Sequence, residues 1–250
     1  MYKSMLAGLA ALLVAWAGST PAAELIVSAA ASLTNAFTEI GREFEKVNPP
    51  HKAIFSFASS GQLLQQIARG APVDVFASAD QDTMDRAEEQ NLIVRSSRAD
   101  FARNTLVLVA YKGAASLSRL EELKDDSIKR IAISNPATVP VGKYSREALD
   151  AAGLFDALKD KYINTQNVRQ SLDYVARGEV DVGFVYETDA VIMADRIKVL
   201  FEVPTKTPIT YPVAAVKGSG REGLALRFVQ FVGSGAAQKI LQRHGFRAVN

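Results

Sequence analysis

Apolar positions along this chain follow two alternating periods. Short runs rich in Val, Ile, Phe and Ala, namely 24–30, 52–59 and 73–78, read as strands. Each is followed by a stretch whose apolar residues recur every three or four positions. Leu33, Phe37, Ile40 and Phe44 share one face of a helix over 33–47, which Asn48, Pro49 and Pro50 break. Leu63, Leu64 and Ile67 do the same over 62–70, with Gly70 as the stop. Asp80 is placed to cap a third helix over 81–91. Further on, strand-like 130–134 and 180–186 alternate with helix-like 143–153 and 171–178, and the chain closes on two helical stretches, 223–234 and 235–245.

This alternation predicts an α/β fold with mainly parallel sheets flanked by helices. Two apolar runs, "NTLVLVAY" (104–111) and "ITYPVAAV" (209–216), bracket a block with its own strand–helix alternation. They read as strands crossing between two lobes, one formed by 23–103 and 207–250, the other by 104–206. A single continuous doubly wound domain is the competing arrangement.

The first residues change the picture of where the protein works. Lys3, the apolar run "MLAGLAALLVAWAG" and the small residues "STPAA" have the three-part layout of a secretory signal peptide over 1–22, with cleavage near residue 22 or 23. The apolar run is short for a membrane anchor, the bland alternative. Its removal takes away the only tryptophan, Trp16. Charge is close to balanced, with Lys+Arg 29 against Asp+Glu 27, so no basic surface for nucleic acid is indicated. The chain has no cysteine, which excludes disulfides, thiolate metal sites and a lipidated N-terminal cysteine.

Catalytic motifs are scarce. His51 and His244 are the only histidines, and no G-x-S-x-G elbow is present. "VPVGKYS" lacks the first glycine of a phosphate loop and has Tyr144 where Ser or Thr is required. "KGSGREG" does not fit a dinucleotide fingerprint, and no acids show metal-ligand spacing. What recurs is hydroxyls and amides at strand-to-helix junctions. Ser32 and Ser60 follow strands and precede helices. Pro140 can open the helix carrying Val141, Asn167 can cap the helix starting at Val168, and Tyr186 ends a strand. Singly, each is a cap or a core aromatic. Together they suit an anion, because helix N-termini offer unpaired N–H groups and open α/β sheets bind ligands at their strand ends.

The blocks "AAASLTNAF", "FSFASSGQLLQQIARGAPVDVFASAD", "NPATVPVGKYSREAL", "NVRQSLDYVARGEVDVGFVY" and "YPVAAV" closely resemble the periplasmic molybdate-binding proteins of bacterial ABC importers. The resemblance runs, in order, over essentially the whole chain after the leader. It implies the two-lobed type II periplasmic-binding-protein fold, with the oxyanion held between the lobes. Matched by motif, its ligands would be Ser32, Ser60, Val141, Val168 and Tyr186, the valines acting through their amides. The family's usual alanine is replaced at Val141, which should matter only through bulk.

The resemblance also implies a monomeric periplasmic protein, with no cofactor and no direct protein–metal bond, handing molybdate or tungstate to a membrane permease and its ATPase. Sulfate presents the same acceptors, whereas hydrogen phosphate would want a carboxylate that none of the matched positions supplies. A hydrolase using Ser59 or Ser60 needs a base that the sequence does not place. A site for an organic ligand would call for an Arg–Asp clamp that the matched positions lack. Gly61 is expected to keep the helix entrance open to an anion, Ser59 to hold the turn, and whether Arg169 reaches the ligand is left open.

Overall fold

Strand β1 (Glu24–Ala30) is buried without interruption from Val27 onward, and its parallel neighbours β2 (Lys52–Ala58) and β3 (Val75–Ala77) flank it. This is the nucleus of one of two five-stranded sheets in the computed structural model, which describes residues 22–114 and 116–249. Apart from Ala22, the leader read in 1–22 lies outside the described residues. Strands β10 (Ile209–Ala215) and β4 (Ala99–Asn104) complete the first sheet in the order β2-β1-β3-β10-β4.

The second sheet repeats the plan. Its strands β7 (Tyr162–Thr165), β6 (Ile131–Ser134), β8 (Val182–Tyr186), β5 (Leu106–Tyr111) and β9 (Ile197–Glu202) stand in that order. The parallel share is smaller than the alternation suggests. In each sheet two of the four pairings are parallel and two antiparallel. The physical reason is connectivity: β5 and β10 are the strands by which the chain enters one sheet from the other, outside the strand–helix–strand units.

The apolar runs 104–111 and 209–216 form β5 and β10, each paired within one sheet. The changeovers between sheets fall at Thr105, between β4 and β5, and at 203–208, between β9 and β10. Strands β4, β7 and β9 escape the sequence pattern because, unlike the edge strand β2, they show no regular alternation of exposure. Their mixed exposure, as in β9 with Val199 47% exposed, erases a clear alternation.

A helix follows each parallel strand. In the first sheet these are α1 (Thr34–Val47), α2 (Ser60–Ala68) and α3 (Gln81–Glu89); in the second they are α4 (Pro140–Ala151), α5 (Val168–Ala176) and α6 (Glu187–Ile192). Asp80 caps α3 by accepting from Thr83 N–H, and Gly70 ends the α2 region with a positive φ of 86°. Helices α7 (Glu222–Val232) and α8 (Gly235–Arg243) return to the first sheet.

Phe228 of α7 holds that return in place, with its ring centroid 5.1 Å from Phe44 and 6.0 Å from Phe37 in edge-on geometry. Phe228 is fully buried. Phe228→Ala should therefore cost about 3–5 kcal/mol of unfolding free energy in a denaturant titration. A loss below about 1 kcal/mol would show that α7 is not part of the first sheet's core.

Candidate functional site

The C-terminal ends of three parallel strands from each sheet meet around one small cavity. Its lining includes Ser32 after β1, Ser59 and Ser60 after β2, Ala79 after β3, Val141 after β6, Val168 after β7 and Tyr186 at the end of β8. The five positions singled out in the sequence are thus all brought together. No charged side chain lines the cavity, and its free space is far smaller than that of the surface grooves. A small space lined by hydroxyls and helix starts, with no charged side chain, suits a compact ligand. Larger open grooves exist, but the one between α3 and α4 carries Asp82, Asp85 and Glu89 against Arg86 and Lys143, an unfavourable lining for an anion.

Helix-end bookkeeping identifies the free donors. The first N–H groups of a helix have no partner within it. In α5, Asn167 Oδ1 accepts from Arg169 N–H and Gln170 N–H at 3.0 and 3.1 Å, and Ser171 N–H donates to Asn167 O at 3.3 Å. Val168 N–H is the one that remains. In α4, Pro140 has no N–H and Lys143 N–H donates to Val139 O at 3.0 Å, which leaves Val141 and Gly142. In α2, Gly61 N–H donates to Thr138 O and Leu63 N–H to Ser59 O, each at 3.0 Å, which leaves Ser60 and Gln62.

The hydroxyls are held from behind. Ser60 Oγ accepts from Ala79 N–H at 3.0 Å. Ser32, in a single 3-10 turn over Ala31–Leu33, has its Oγ 3.0 Å from the hydroxyl of Tyr211 on β10. The Tyr186 hydroxyl is buried and has no partner. Burial holds that phenol well above its ordinary pKa, so it remains a donor.

Two details differ from the sequence reading. The residue preceding α2 is Ser59, which makes no capping bond, and its Oγ is buried without a partner among the cavity residues. Gly61 faces the other sheet rather than an anion. A Cβ there would lie 2.5 Å from Thr138 O and 2.9 Å from Thr138 Cα, so only glycine permits this approach of α2 to the start of α4.

Arg169 does not line the cavity. It spans the crevice instead, donating from Nη2 to Ser32 O at 3.2 Å and from Nη1 to Asn35 Oδ1 at 2.9 Å. Its Nε pairs with Asp189 Oδ1 at 2.6 Å. Asp189 is fully buried, and burial outweighs Arg169 to hold its carboxyl up at about 6, against an ordinary 3.8. The two histidines lie elsewhere: His51 Nδ1 accepts from Ala23 N–H, and His244 pairs with Glu39. Lys143 pairs with Asp82 and Glu147. Among the described residues, no group of three His, Cys, Asp or Glu could hold a metal, and no helix is long and apolar enough to cross a membrane.

The model of the family described as bacterial extracellular solute-binding protein matches residues 25–247. The chain belongs to this family. Molybdate-binding protein ModA of Haemophilus influenzae is 35% identical over 247 residues, which cover 95% of this chain and 96% of that one. ModA of Escherichia coli K12 is 37% identical over 246 residues, 95% of each chain. The structure of the Azotobacter vinelandii periplasmic molybdate-binding protein superposes with a TM-score of 0.79 at 26% identity, covering 90% of this chain and all of that one. The two sheets of this solute-binding protein are thus those of the type II periplasmic-binding-protein fold.

Asp189 gives the site region a pH signature. Between about pH 4 and pH 6 the folded protein binds a proton at Asp189 that the unfolded chain does not. The carboxyl's contribution therefore favours folding at the acid end of this window and is lost as pH rises through about 6. Wild type should gain melting temperature relative to Asp189→Asn as pH falls from about 7 to about 4. Parallel curves for the two proteins would contradict the assignment.

Proposed function

We propose that this solute-binding protein captures molybdate, and tungstate with it, as a fully deprotonated tetrahedral dianion, and does no chemistry on it. The carrying observation is the buried, unpartnered hydroxyl of Tyr186 beside two serines and the free amides of three helix starts. Ser32, Ser60 and Tyr186 would donate from side chains, and Ser60, Val141 and Val168 from N–H groups, with Ser59 Oγ as a further donor. A site made of donors alone suits an anion with no proton to give, and disfavours hydrogen phosphate, whose proton needs an acceptor. The ModA relatives favour molybdate over sulfate. A serine hydrolase is not supported, since neither histidine reaches Ser59 or Ser60 and Ser60 Oγ accepts from Ala79 N–H.

The wider role follows the same reading. The protein would be exported by its 1–22 leader, act in the periplasm as a monomer, and deliver its ligand to the permease and ATPase of an ABC importer. The two sheets would move as lobes, one formed by 23–103 and 207–250 and the other by 104–206, hinging at Thr105 and at 203–208. Gly61 N–H to Thr138 O, Lys143 to Asp82, and Arg169 to Ser32 O all bridge the two sheets, which supports a closed state.

Calorimetric titration of the protein tests the ligand. Molybdate and tungstate should bind at micromolar concentration or below, and Tyr186→Phe should weaken them about 10- to 100-fold, as expected for a hydrogen bond to a charged group. Tighter binding of sulfate or phosphate than of molybdate would sink the reading. Closure has its own test in Gly61→Ala. The added methyl should weaken molybdate about 10-fold or more, leave the ligand-free melting temperature nearly unchanged, and abolish the ligand-induced compaction that wild type should show in small-angle scattering. Compaction of the variant equal to wild type would count against lobe closure.

A further inference from the structure

We infer that Tyr211, oriented by Asn104, sets the direction of the Ser32 hydroxyl, so that its proton is available only to a ligand. Tyr211 is thus a positioning residue for oxyanion binding, outside the cavity lining. The inference rests on the reading of the cavity as an oxyanion site with Ser32 as one of its donors.

The argument begins at the changeover between the sheets. Asn104 Oδ1 accepts from Thr105 N–H at 2.9 Å, which fixes which end of the amide is oxygen. Its Nδ2 must then donate, and it does so to Thr188 Oγ1 at 2.8 Å and to Tyr211 OH at 3.1 Å. The Tyr211 hydroxyl thus accepts from Asn104 and still carries one proton. Tyr211 is fully buried, and its other partner is Ser32 Oγ at 3.0 Å. Leaving that proton unpaired inside the protein would be costly, so Tyr211 donates to Ser32 Oγ. With Ser32 Oγ accepting from behind, its own proton has no acceptor among the described residues and is free to turn into the cavity.

Ser60 is treated the same way by different means. Ala79 N–H can only donate, so Ser60 Oγ is again an acceptor toward the protein and a donor toward the cavity. Two serines from two junctions are thereby polarised in one sense, one by a backbone amide and one by the Asn104–Tyr211 relay. A hydroxyl that accepts one hydrogen bond donates a stronger one. The relay therefore favours a ligand made only of acceptors over one that must also donate.

Titrating molybdate calorimetrically into wild type, Tyr211→Phe, Ser32→Ala and the double variant tests this. Tyr211→Phe keeps the ring and should weaken binding about 3- to 10-fold, whereas in the Ser32→Ala background it should change binding by less than about 2-fold. Asn104→Leu, which removes the orienting donor but keeps Tyr211, should behave likewise, and guards against misfolding of the tyrosine variant. Ligand-free melting temperatures separate a loss of fold from a loss of polarity. Equal losses from Tyr211→Phe with and without the Ser32 hydroxyl would overturn the relay, as would wild-type affinity in Tyr211→Phe. If wild type bound no molybdate, the functional reading itself would fail, an outcome visible before any variant is compared.

Discussion

Tyr186 lies inside the protein with a hydroxyl that no group among the described residues accepts, and leaving such a donor unpaired costs roughly 1–3 kcal/mol. The surroundings compound the cost. Helix starts from both sheets point unsatisfied N–H groups at the same small cavity, with no carboxylate there to answer them. A fold tolerates this concentration of unmet donors only if something from outside completes it. The rest of the architecture serves to hold the donors in place. Parallel strands end at the crevice, helices begin there, and the two sheets repeat one strand plan so that each supplies half of the ring.

Charge is managed at one remove. Arg169, a cation that spans the crevice, is occupied by Asp189, Asn35 and the Ser32 carbonyl rather than by the cavity. Positive potential at the cavity comes instead from oriented peptide groups, which attract an anion while fixing where its oxygens sit. A mobile side-chain cation would be less particular. On the proposed reading, the arrangement would select by geometry and by donor count, with Coulomb attraction in a supporting role.

The strand-to-helix junctions were legible because they depend on local pattern. Period changes located β1, β2, β3, β6 and β8, and capping chemistry located Pro140 and Asn167, so Ser32, Ser60, Val141, Val168 and Tyr186 could be named from sequence and family likeness. Contacts set by tertiary register were not legible. Ser32 and Tyr211 are 179 residues apart, and no local signal couples them. Gly61 reads as a helix-entrance glycine until Thr138 is seen against it. Ser59 looked like a turn residue because a capping serine normally bonds its own helix, and here it does not. The edge strands β4, β7 and β9 escape such a reading because their exposure does not alternate, whereas that of the edge strand β2 does.

The two sheets also differ in how the chain reaches them. All strands of the second come from one unbroken stretch, 106–202, whereas the first needs β10, which follows that stretch. With the chain made available N-terminus first, β1 to β4 therefore wait with one side of β3 uncovered while the second sheet gains every strand it needs. Units that fold as wholes close in order of completion. The second sheet can thus be finished first, and β10 then slots between β3 and β4. The cavity is walled by both sheets, so it is not complete before β10 is in place. An incompletely synthesised chain has nowhere to hold a ligand.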